Sequence, residues 1–288
     1  MSGVRILALA GATAAVSTVA FAADFPPVVP PAPPIVEGAP ASDSGWYLRG
    51  DVGVSVQKFR NFDHFQTNPS FVWPASWQIV QKHMDDTAFF DFGVGYQWNS
   101  WLRFDFIGEH RTSAKFKAVG SHTELCPGGA TCFDLYDGSH SAEVLLANAY
   151  LDLGTWWYLT PFIGAGVGGA WNTVSTVTDI GFLNTQAPGL GYSSADNSSW
   201  TFAWAAHAGL TYNVSANLKL EFAYRFLSLG SVKTPVVNCA STGCQVTNSG
   251  PSAYYTLKNF ESQDFKLGLR WMFLPETPAY APPLIRKG

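Results

Sequence analysis

The chain has 288 residues, of which 47% are hydrophobic and 15% aromatic, whereas Asp, Glu, Lys and Arg together make up only 13%. That charged share is about half of what soluble domains carry. The formal net charge of −4 gives no basis for binding nucleic acid or another polyanion. This composition suits either a large buried core or a surface that faces lipid.

The N-terminus has the pattern of a secretory signal peptide. Arg5 supplies a basic start, residues 6–19 form an apolar run of small side chains, and residues 20–22 read Ala-Phe-Ala, an A-x-A cleavage site. An uncleaved anchor helix is the less favoured alternative, because the run is short for a span of roughly twenty residues. We predict a signal peptide over 1–22, a Pro-rich segment over 23–44 and a Pro-rich tail over 274–288.

Between these ends, apolar and polar side chains alternate with a period of two, which indicates β-strands. The clearest arm lies within 218–226, where Phe222 and Tyr224 alternate with Glu221 and Arg225. Arms of about ten residues with an oily outer face and a charged inner face are typical of a membrane β-barrel. The candidate strands are 46–56, 87–98, 101–111, 141–153, 159–177, 200–212, 218–232 and 262–273.

The connections between these strands are alternately long and short. Soluble domains rarely keep loops above about a dozen residues, whereas outer-membrane barrels combine short periplasmic turns with long external loops. An even strand number also brings both Pro-rich ends to the periplasmic side. We therefore predict an all-β fold: an eight-stranded antiparallel up-and-down transmembrane β-barrel over 45–273 with four long external loops.

Strand parity places six basic and six acidic side chains inside this barrel. A lone buried charge costs several kcal/mol, so a balanced set is expected to pair. The interior of an eight-stranded barrel is about wide enough for side chains alone, which favours a plugged lumen over a pore. The register of the strands at 141–153 and 159–177 is left open. The predicted lumen charges are Arg49, Asp51, Asp91, Arg103, Asp105, Glu109, Lys219, Glu221, Arg225, Asp264, Lys266 and Arg270.

The last strand carries an alternating apolar row that ends on Phe. With the Ala-Ala-Asp start at 22–24 and the prolines after it, the chain resembles the OmpA-like family of small outer-membrane β-barrels, and more narrowly the porin-family surface antigens of Gram-negative bacteria. The family's Phe is usually the final residue, whereas here 274–288 follow. The row consists of Phe265, Leu267, Leu269, Trp271 and Phe273.

This resemblance covers 45–273 and implies a location in the bacterial outer membrane. It also implies that the barrel-assembly machinery reads the last strand, that outer-membrane lipid and lipopolysaccharide surround the barrel, and that the role is structural or surface-exposed. Some members of the family are reported to bind haem, and no catalytic residue is shared across them. Oligomeric state is left undetermined.

Two pairs of cysteines each lie within a predicted external loop. Cys126 and Cys132 enclose five residues, and Cys239 and Cys244 enclose four. In an oxidising compartment such pairs favour local disulfides, each worth about 2–3 kcal/mol. Metal binding is the alternative, and it is disfavoured because neither C-x-x-C spacing nor an adjacent His accompanies them. We predict no metal site and no cofactor.

Three histidines are candidate functional residues. His64 and His83, in the aromatic first loop, are candidates for axial ligation of haem. The favoured alternative is a loop that packs on itself or contacts lipopolysaccharide and other cells, because a loop this long needs its own core. His207 faces the lumen by parity, where pairing with Glu221 or Asp91 is the expected explanation. No Ser lies beside it in sequence, as a hydrolase would require. We predict that the chain is not an enzyme.

Residues 164–169 match G-x-G-x-x-G, the fingerprint of a dinucleotide-binding loop. That loop must precede a helix, whereas Thr173, Val174, Thr176 and Val177 continue a strand. The sequence thus predicts a barrel that presents external loops, with ligand capture by those loops or a narrow low-conductance channel as alternatives.

Overall fold

A computed structural model describes residues 44–66, 74–124, 126–182, 189–240 and 253–273. All of them belong to the unit Ala39–Gly288. The predicted signal peptide, the N-terminal Pro-rich segment up to residue 43 and the Pro-rich tail lie outside the described residues. Within the described part of the chain, no helix combines the length and apolar character needed to cross a membrane.

The described residues form eleven β-strands and one short 3-10 turn, Pro127–Gly129. Four strands are longer than twenty residues, several times the usual length of about five or six. The strands are β1 (Gly45–Gln66), β2 (Gln78–Met84), β3 (Thr87–Gln97), β4 (Leu102–His122), β5 (Cys132–Asp152), β6 (Leu159–Phe182), β7 (Gly189–Ser193), β8 (Asn197–Asn213), β9 (Leu218–Lys233), β10 (Val237–Cys239) and β11 (Ala253–Met272).

Eight of the described strands close into a ring of antiparallel pairs. The order is β1-β3-β4-β5-β6-β8-β9-β11, and β11 returns to β1. The closing pair is long, running from Tyr47 opposite Met272 to Gln66 opposite Ala253. The predicted eight-stranded up-and-down β-barrel is therefore confirmed.

The two ends of the ring differ. At one end, which we name the turn end, short connections at 98–101, 153–158 and 214–217 join neighbouring strands. The Phe273 amide donates to the Trp46 carbonyl over 2.9 Å, so both termini of the barrel lie there too. The opposite end, which we name the loop end, carries the longer connections. The alternation of connections predicted from the sequence is confirmed.

The strands extend further toward the loop end than the sequence predicts. β1 continues to Gln66 rather than ending at residue 56, and β4 continues to His122 rather than ending at residue 111. Beyond those points the outer face turns polar and the inner face apolar, so the lipid-facing pattern ends although the strand does not. The predicted long loops are therefore strand in large part, and β2, β7 and β10 lie within them.

The outer face of the ring near the turn end is apolar and exposed. Phe222, on β9, is 57% exposed, which only contact with lipid would shield from water. The register left open in β5 resolves with Leu145 and Leu151 outward and Val144 and Leu146 buried. The outward aromatic side chains that ring the turn end include Trp98, Trp101, Trp156, Trp157 and Tyr158.

The motif at 164–169 lies within β6, which agrees with its reading as a strand. Gly164, Gly166 and Gly168 lie close to side chains and backbone of β5. A Cβ on Gly164 would overlap the Tyr150 ring, and one on Gly166 would overlap the Asn148 amide. The glycines therefore make room for large inward side chains of the neighbouring strand.

Candidate functional site: a two-layered interior

The interior of the ring near the turn end is filled with charged side chains, and we name this set the charged layer. All but Lys219 are buried, because the outer face of the same strands is apolar and period two sends the polar partners inward. Its members are Arg49, Asp51, Asp91, Arg103, Asp105, Glu109, Arg111, Asp152, Lys219, Glu221, Arg225, Asp264, Lys266 and Arg270.

Arg49 and Glu221 are the centres of a first group of ion pairs. The Arg49 guanidinium lies 2.7 Å from both Asp51 and Asp105, and 3.2 Å from Glu221. Two further guanidinium groups reach the Glu221 carboxylate, with closest N–O distances of 3.2 Å from Arg103 and 3.0 Å from Arg270. One carboxylate on β9 thus links its own strand to β1, β4 and β11.

Two smaller links extend this group. The Lys266 ammonium lies 2.6 Å from Asp51 and 3.5 Å from Asp91. Arg103 lies 3.2 Å from Asp152. These contacts join β1, β3, β4, β5 and β11, so the charges tie together strands that are not all neighbours in the ring.

Four other residues form a separate closed quartet nearer the loop end. Arg225 lies 2.6 Å from both Glu109 and Asp264, and Arg111 lies 2.8 Å from Glu109 and 3.0 Å from Asp264. Each cation contacts both anions and each anion contacts both cations. Such reciprocity is what offsets the several kcal/mol that desolvation of each ion costs.

Aromatic rings pack against the guanidinium groups of the charged layer. Arg103 lies 4.2 Å from the centroid of the Tyr150 ring and 4.6 Å from that of Phe162. Arg111 and Arg225 both lie over Phe89, at 5.2 and 4.9 Å. Cation–π attraction in a desolvated site reaches about 2 kcal/mol, so the rings contribute energy as well as volume.

The structure places Arg111 and Asp152 in the charged layer, although the sequence reasoning omitted them. Parity could have found both, since Arg111 follows Glu109 and Asp152 follows Tyr150 at a spacing of two. The layer now holds seven basic and seven acidic side chains among the described residues, so adding one of each sign keeps it balanced. Lys219 lies near the turn-end mouth, in the lining of a cavity of about 450 Å³ that Asp152 and Arg270 also line.

Toward the loop end, the interior changes to apolar side chains, and we name this set the apolar layer. Phe62 stacks on the Tyr255 ring with a centroid distance of 5.0 Å and lies 5.1 Å from the ring of Tyr136. Phe116 meets Phe59 edge-on at 6.3 Å. The main buried members are Phe59, Phe62, Met84, Phe116, Tyr136, Val174, Val177, Leu227, Leu229, Val232, Tyr255, Leu257 and Phe260.

The wall around the apolar layer is less regular than the wall around the charged layer. β1 pairs with β3 only from Gly45 to Ser55, and β2 pairs with β4 rather than with β1. Among the described residues, the gap is bridged by a side chain, since the Lys82 ammonium donates to the Arg60 carbonyl. A cavity of about 330 Å³ lies between the two strands.

The two candidate haem ligands lie on opposite faces of this wall. His64 lies on β1 with its ring 4.6 Å from that of Trp77, on the same side of the strand as the buried Phe62. His83 lies on β2, its side chain 69% exposed, 3.3 Å from Asp85. The structure does not bring the two imidazoles together, and haem binding stays a prediction.

His207 is buried in the lumen wall beside neutral partners. Its Nε2 lies 3.2 Å from the Asn148 amide oxygen, and its ring lies 5.2 Å from that of Tyr150. The expected partners, Glu221 and Asp91, are engaged with arginine and lysine instead. The Asn148 amide donates in turn to Asp105 over 2.8 Å, so His207 connects to the charged layer through a hydrogen-bond relay.

The first predicted disulfide is present: Cys126 and Cys132 are bonded, with a Cα–Cα distance of 6.0 Å. His122 and Asp134 lie beside it, 3.2 Å apart. The second predicted pair cannot be described, because Cys244 and the side chain of Cys239 lie outside the described residues.

The carboxylates of Asp134 and Asp179 lie close to each other at the loop end. Tyr255 donates to Asp179 over 2.6 Å, and burial, then the Asp134 carboxylate, raise the pKa of Asp179 to about 7. A hydrogen bond to Asp134 is the main cause that raises the pKa of His122. These groups line the interior beyond the apolar layer.

The comparisons with known proteins agree with this architecture. A family of outer membrane protein β-barrel domains matches residues 7–273. The chain belongs to this family. The resemblance to small outer-membrane barrels seen in the sequence is confirmed, and so is the location in the bacterial outer membrane. The apolar outer face around the charged layer is therefore the lipid-facing belt.

Related sequences come from several bacteria. An uncharacterised protein of Brucella abortus is 31% identical over 208 residues, which cover 64% of this chain and 68% of the relative. A protein of Rickettsia prowazekii named as a putative adhesin is 24% identical over 239 residues, 82% of this chain and 91% of the relative.

Among solved structures, the outer membrane protein OprG from Pseudomonas aeruginosa superposes with a TM-score of 0.46 at 11% identity, covering 80% of this chain and 97% of that one. Neisserial surface protein A gives 0.39 at 16% identity, covering 80% and 99%.

Proposed function

We propose that this outer-membrane barrel conducts no solutes and acts as a surface protein of adhesin type through its loop end, which faces outward while the turn end faces the periplasm. The observation that carries the proposal is the interior. Paired charges fill it within the lipid-facing belt and packed apolar side chains fill it above, so two different kinds of plug follow each other along the axis.

Planar-bilayer conductance of the purified chain tests the plugged lumen. We expect no discrete current steps, because a permeating ion would have to break several buried ion pairs, and separating buried opposite charges is costly. Reproducible steps that survive repurification would overturn the plug. The control is a variant in which the whole quartet (Glu109, Arg111, Arg225 and Asp264) is replaced by Ser. This change removes the paired charges at one level along the barrel axis.

The adhesin part of the proposal is supported by an exposed apolar patch on β5, β6 and β7. Phe133 is paired with Phe182, and Leu190 and Tyr192 lie beside them on the outer face. The patch lies about ten residues along the strands beyond the belt, too far for lipid to cover it. Exposed apolar patches on a soluble surface mark contact sites.

Cell binding by bacteria that display the chain tests this patch. We expect Phe133→Ser/Phe182→Ser to lower attachment to host cells several-fold without changing the amount of surface protein. A matched control is Trp98→Ser/Trp101→Ser at the turn end, which leaves the loop end unchanged. Equal attachment by the patch variant and the parent chain would contradict the adhesin role.

Assembly partners are also proposed. The row from Phe265 to Phe273 faces outward along β11, which supports recognition by the barrel-assembly machinery, and the belt supports contact with outer-membrane lipid and lipopolysaccharide. Replacing Trp271 and Phe273 with Ser is expected to reduce the folded protein found in the membrane, with Val236→Ser, on an exposed loop-end side chain, as control.

A further inference from the structure

The end of the β4–β5 hairpin gathers three side chains that bind metals in proteins. His122 is the last residue of β4 and lies directly opposite Cys132, the first residue of β5. Cys126 lies in the connection between them. One ligating atom from each of the three residues falls within 4.8 Å of the others, although the two sulfurs are joined as a disulfide.

A fourth residue orients the imidazole. Asp134 follows Cys132 at a spacing of two on β5, so both side chains leave the same face of the strand. Its Oδ2 lies 3.2 Å from His122 Nδ1, which leaves Nε2 available to a ligand. A carboxylate on the far nitrogen of an imidazole is the usual second-shell arrangement around metal-bound histidine.

We propose that reduction of the Cys126–Cys132 disulfide converts this hairpin end into a site for one Zn²⁺, with the two cysteine sulfurs and His122 Nε2 as ligands and Asp134 as the residue that orients His122. Two thiolates with one imidazole suit Zn²⁺ rather than Ca²⁺ or Mg²⁺, which prefer oxygen. Water or another oxygen donor completes the tetrahedron.

The electrons and protons balance with a low-molecular-weight thiol as reductant. Two molecules of that thiol are oxidised to their own disulfide, and the protein disulfide takes up the two electrons and two protons to give two protein thiols. Both protein thiols then lose a proton when their sulfurs bind the cation. The two cysteines are therefore linked in either state, by the disulfide when oxidised and through the bound cation when reduced.

The signal was present in the sequence as His122-x₃-Cys126-x₅-Cys132. The sequence argument against a metal relied on the absence of C-x-x-C spacing and of an adjacent histidine, and His122 lies four residues from Cys126 along the chain. Cross-strand pairing removes that distance, since residues directly opposite in an antiparallel pair have Cβ atoms about 5 Å apart.

Titration with Co²⁺ tests the proposal, because a cobalt–thiolate bond gives a charge-transfer band in the near ultraviolet. The full mature chain is purified in detergent, reduced, transferred to anaerobic buffer without reductant and titrated with Co²⁺, then with Zn²⁺. We expect one equivalent of Co²⁺ to bind, Zn²⁺ to displace it, and the oxidised protein to give no band. A reduced parent chain without the band overturns the proposal.

Variants assign the ligands. Cys126→Ser/Cys132→Ser is expected to abolish the band, His122→Ala to weaken Zn²⁺ affinity at least tenfold, and Asp134→Asn to weaken it by about 10- to 100-fold, as second-shell changes do. The matched control is Cys239→Ser/Cys244→Ser, which must keep the band. If that control loses the band while Cys126→Ser/Cys132→Ser keeps it, the assignment is wrong. A β-sheet circular dichroism spectrum for each variant shows that the barrel has folded.

Discussion

The same strands build a lower half, around the charged layer, and an upper half, around the apolar layer. The inner and outer faces of the two halves have opposite polarity. In the lower half of β1, Asp51 is buried and Val52 is 60% exposed, whereas in its upper half Phe59 is buried and Lys58 faces out. The ladder continues from one half to the other without a change of partner on the β11 side. The two halves therefore share one backbone and differ in which face of it is apolar. The outer face is apolar in the lower half, and the inner face is apolar in the upper half.

This reversal follows from what surrounds each half. Where lipid covers the outside, apolar side chains face out, and the polar partners must satisfy one another inside. Where water covers the outside, the ordinary rule applies and the apolar side chains pack within. The two halves also differ in regularity, because the upper wall is interrupted between β1 and β2 whereas the lower ring is complete.

The largest expected effect comes from breaking the quartet of the charged layer. Arg225→Met removes one cation and leaves Glu109 and Asp264 with Arg111 alone. Removing one partner of a buried ion pair costs about 3–5 kcal/mol, so we expect the free energy of unfolding to fall by that amount. Urea unfolding of the chain refolded in vesicles measures it.

The double variant Arg225→Met/Asp264→Leu is the control for that prediction. It removes one charge of each sign and leaves Glu109 paired with Arg111, so most of the lost stability is expected to return. A single variant as stable as the parent chain would show that the quartet does not stabilise the lower half.

The next effect concerns the outer faces of the two halves. Phe222→Lys places a charge at the middle of the lipid-facing belt, where Lys or Arg costs about 2–4 kcal/mol. Phe133→Lys makes the same change on the outer face beyond the belt, where Phe133 is 45% exposed, and surface changes stay within about 0.5 kcal/mol. Unfolding in vesicles compares them. Equal losses would contradict the placement of the belt.

The third expected effect is a pH dependence at the loop end. Because the folded-state pKa of Asp179 is raised to about 7 and the unfolded value is about 3.9, the folded chain holds a proton that the unfolded chain releases. This contribution to stability is present below about pH 4 and is lost as pH rises to about 7. Asp134, His122, Tyr136 and Tyr255 are the ionisable groups around it.

Asp179→Asn is therefore expected to reduce the loss of stability between pH 5 and pH 8. Urea unfolding midpoints at the two pH values measure it. The control is Asp137→Asn on the outer face of β5, which should leave the loss unchanged. An Asp179→Asn variant with the full pH dependence of the parent chain would refute the assignment to Asp179.

Much of the lower half was predictable from the sequence. Period-two alternation with aromatic side chains outward gave the strand number, the order of short and long connections and the inward face, since each depends on local pattern alone. The upper half was less predictable. Its apolar side chains face inward and its polar side chains face outward, and this pattern is easily taken for a long loop rich in aromatic residues. His64 and His83 were accordingly assigned to one loop, whereas they lie on two strands and on opposite faces.

The sequence by itself determined that the chain forms an outer-membrane barrel with a charged interior, because alternation is a property of neighbouring residues. Only the tertiary structure decided which charges meet. Arg111 and Asp264 are separated by 153 positions, and the closure of the ring brings them together. His122 likewise joins the cysteine pair through strand register. Contacts of this kind depend on how distant strands align, and local periodicity carries no information about that alignment.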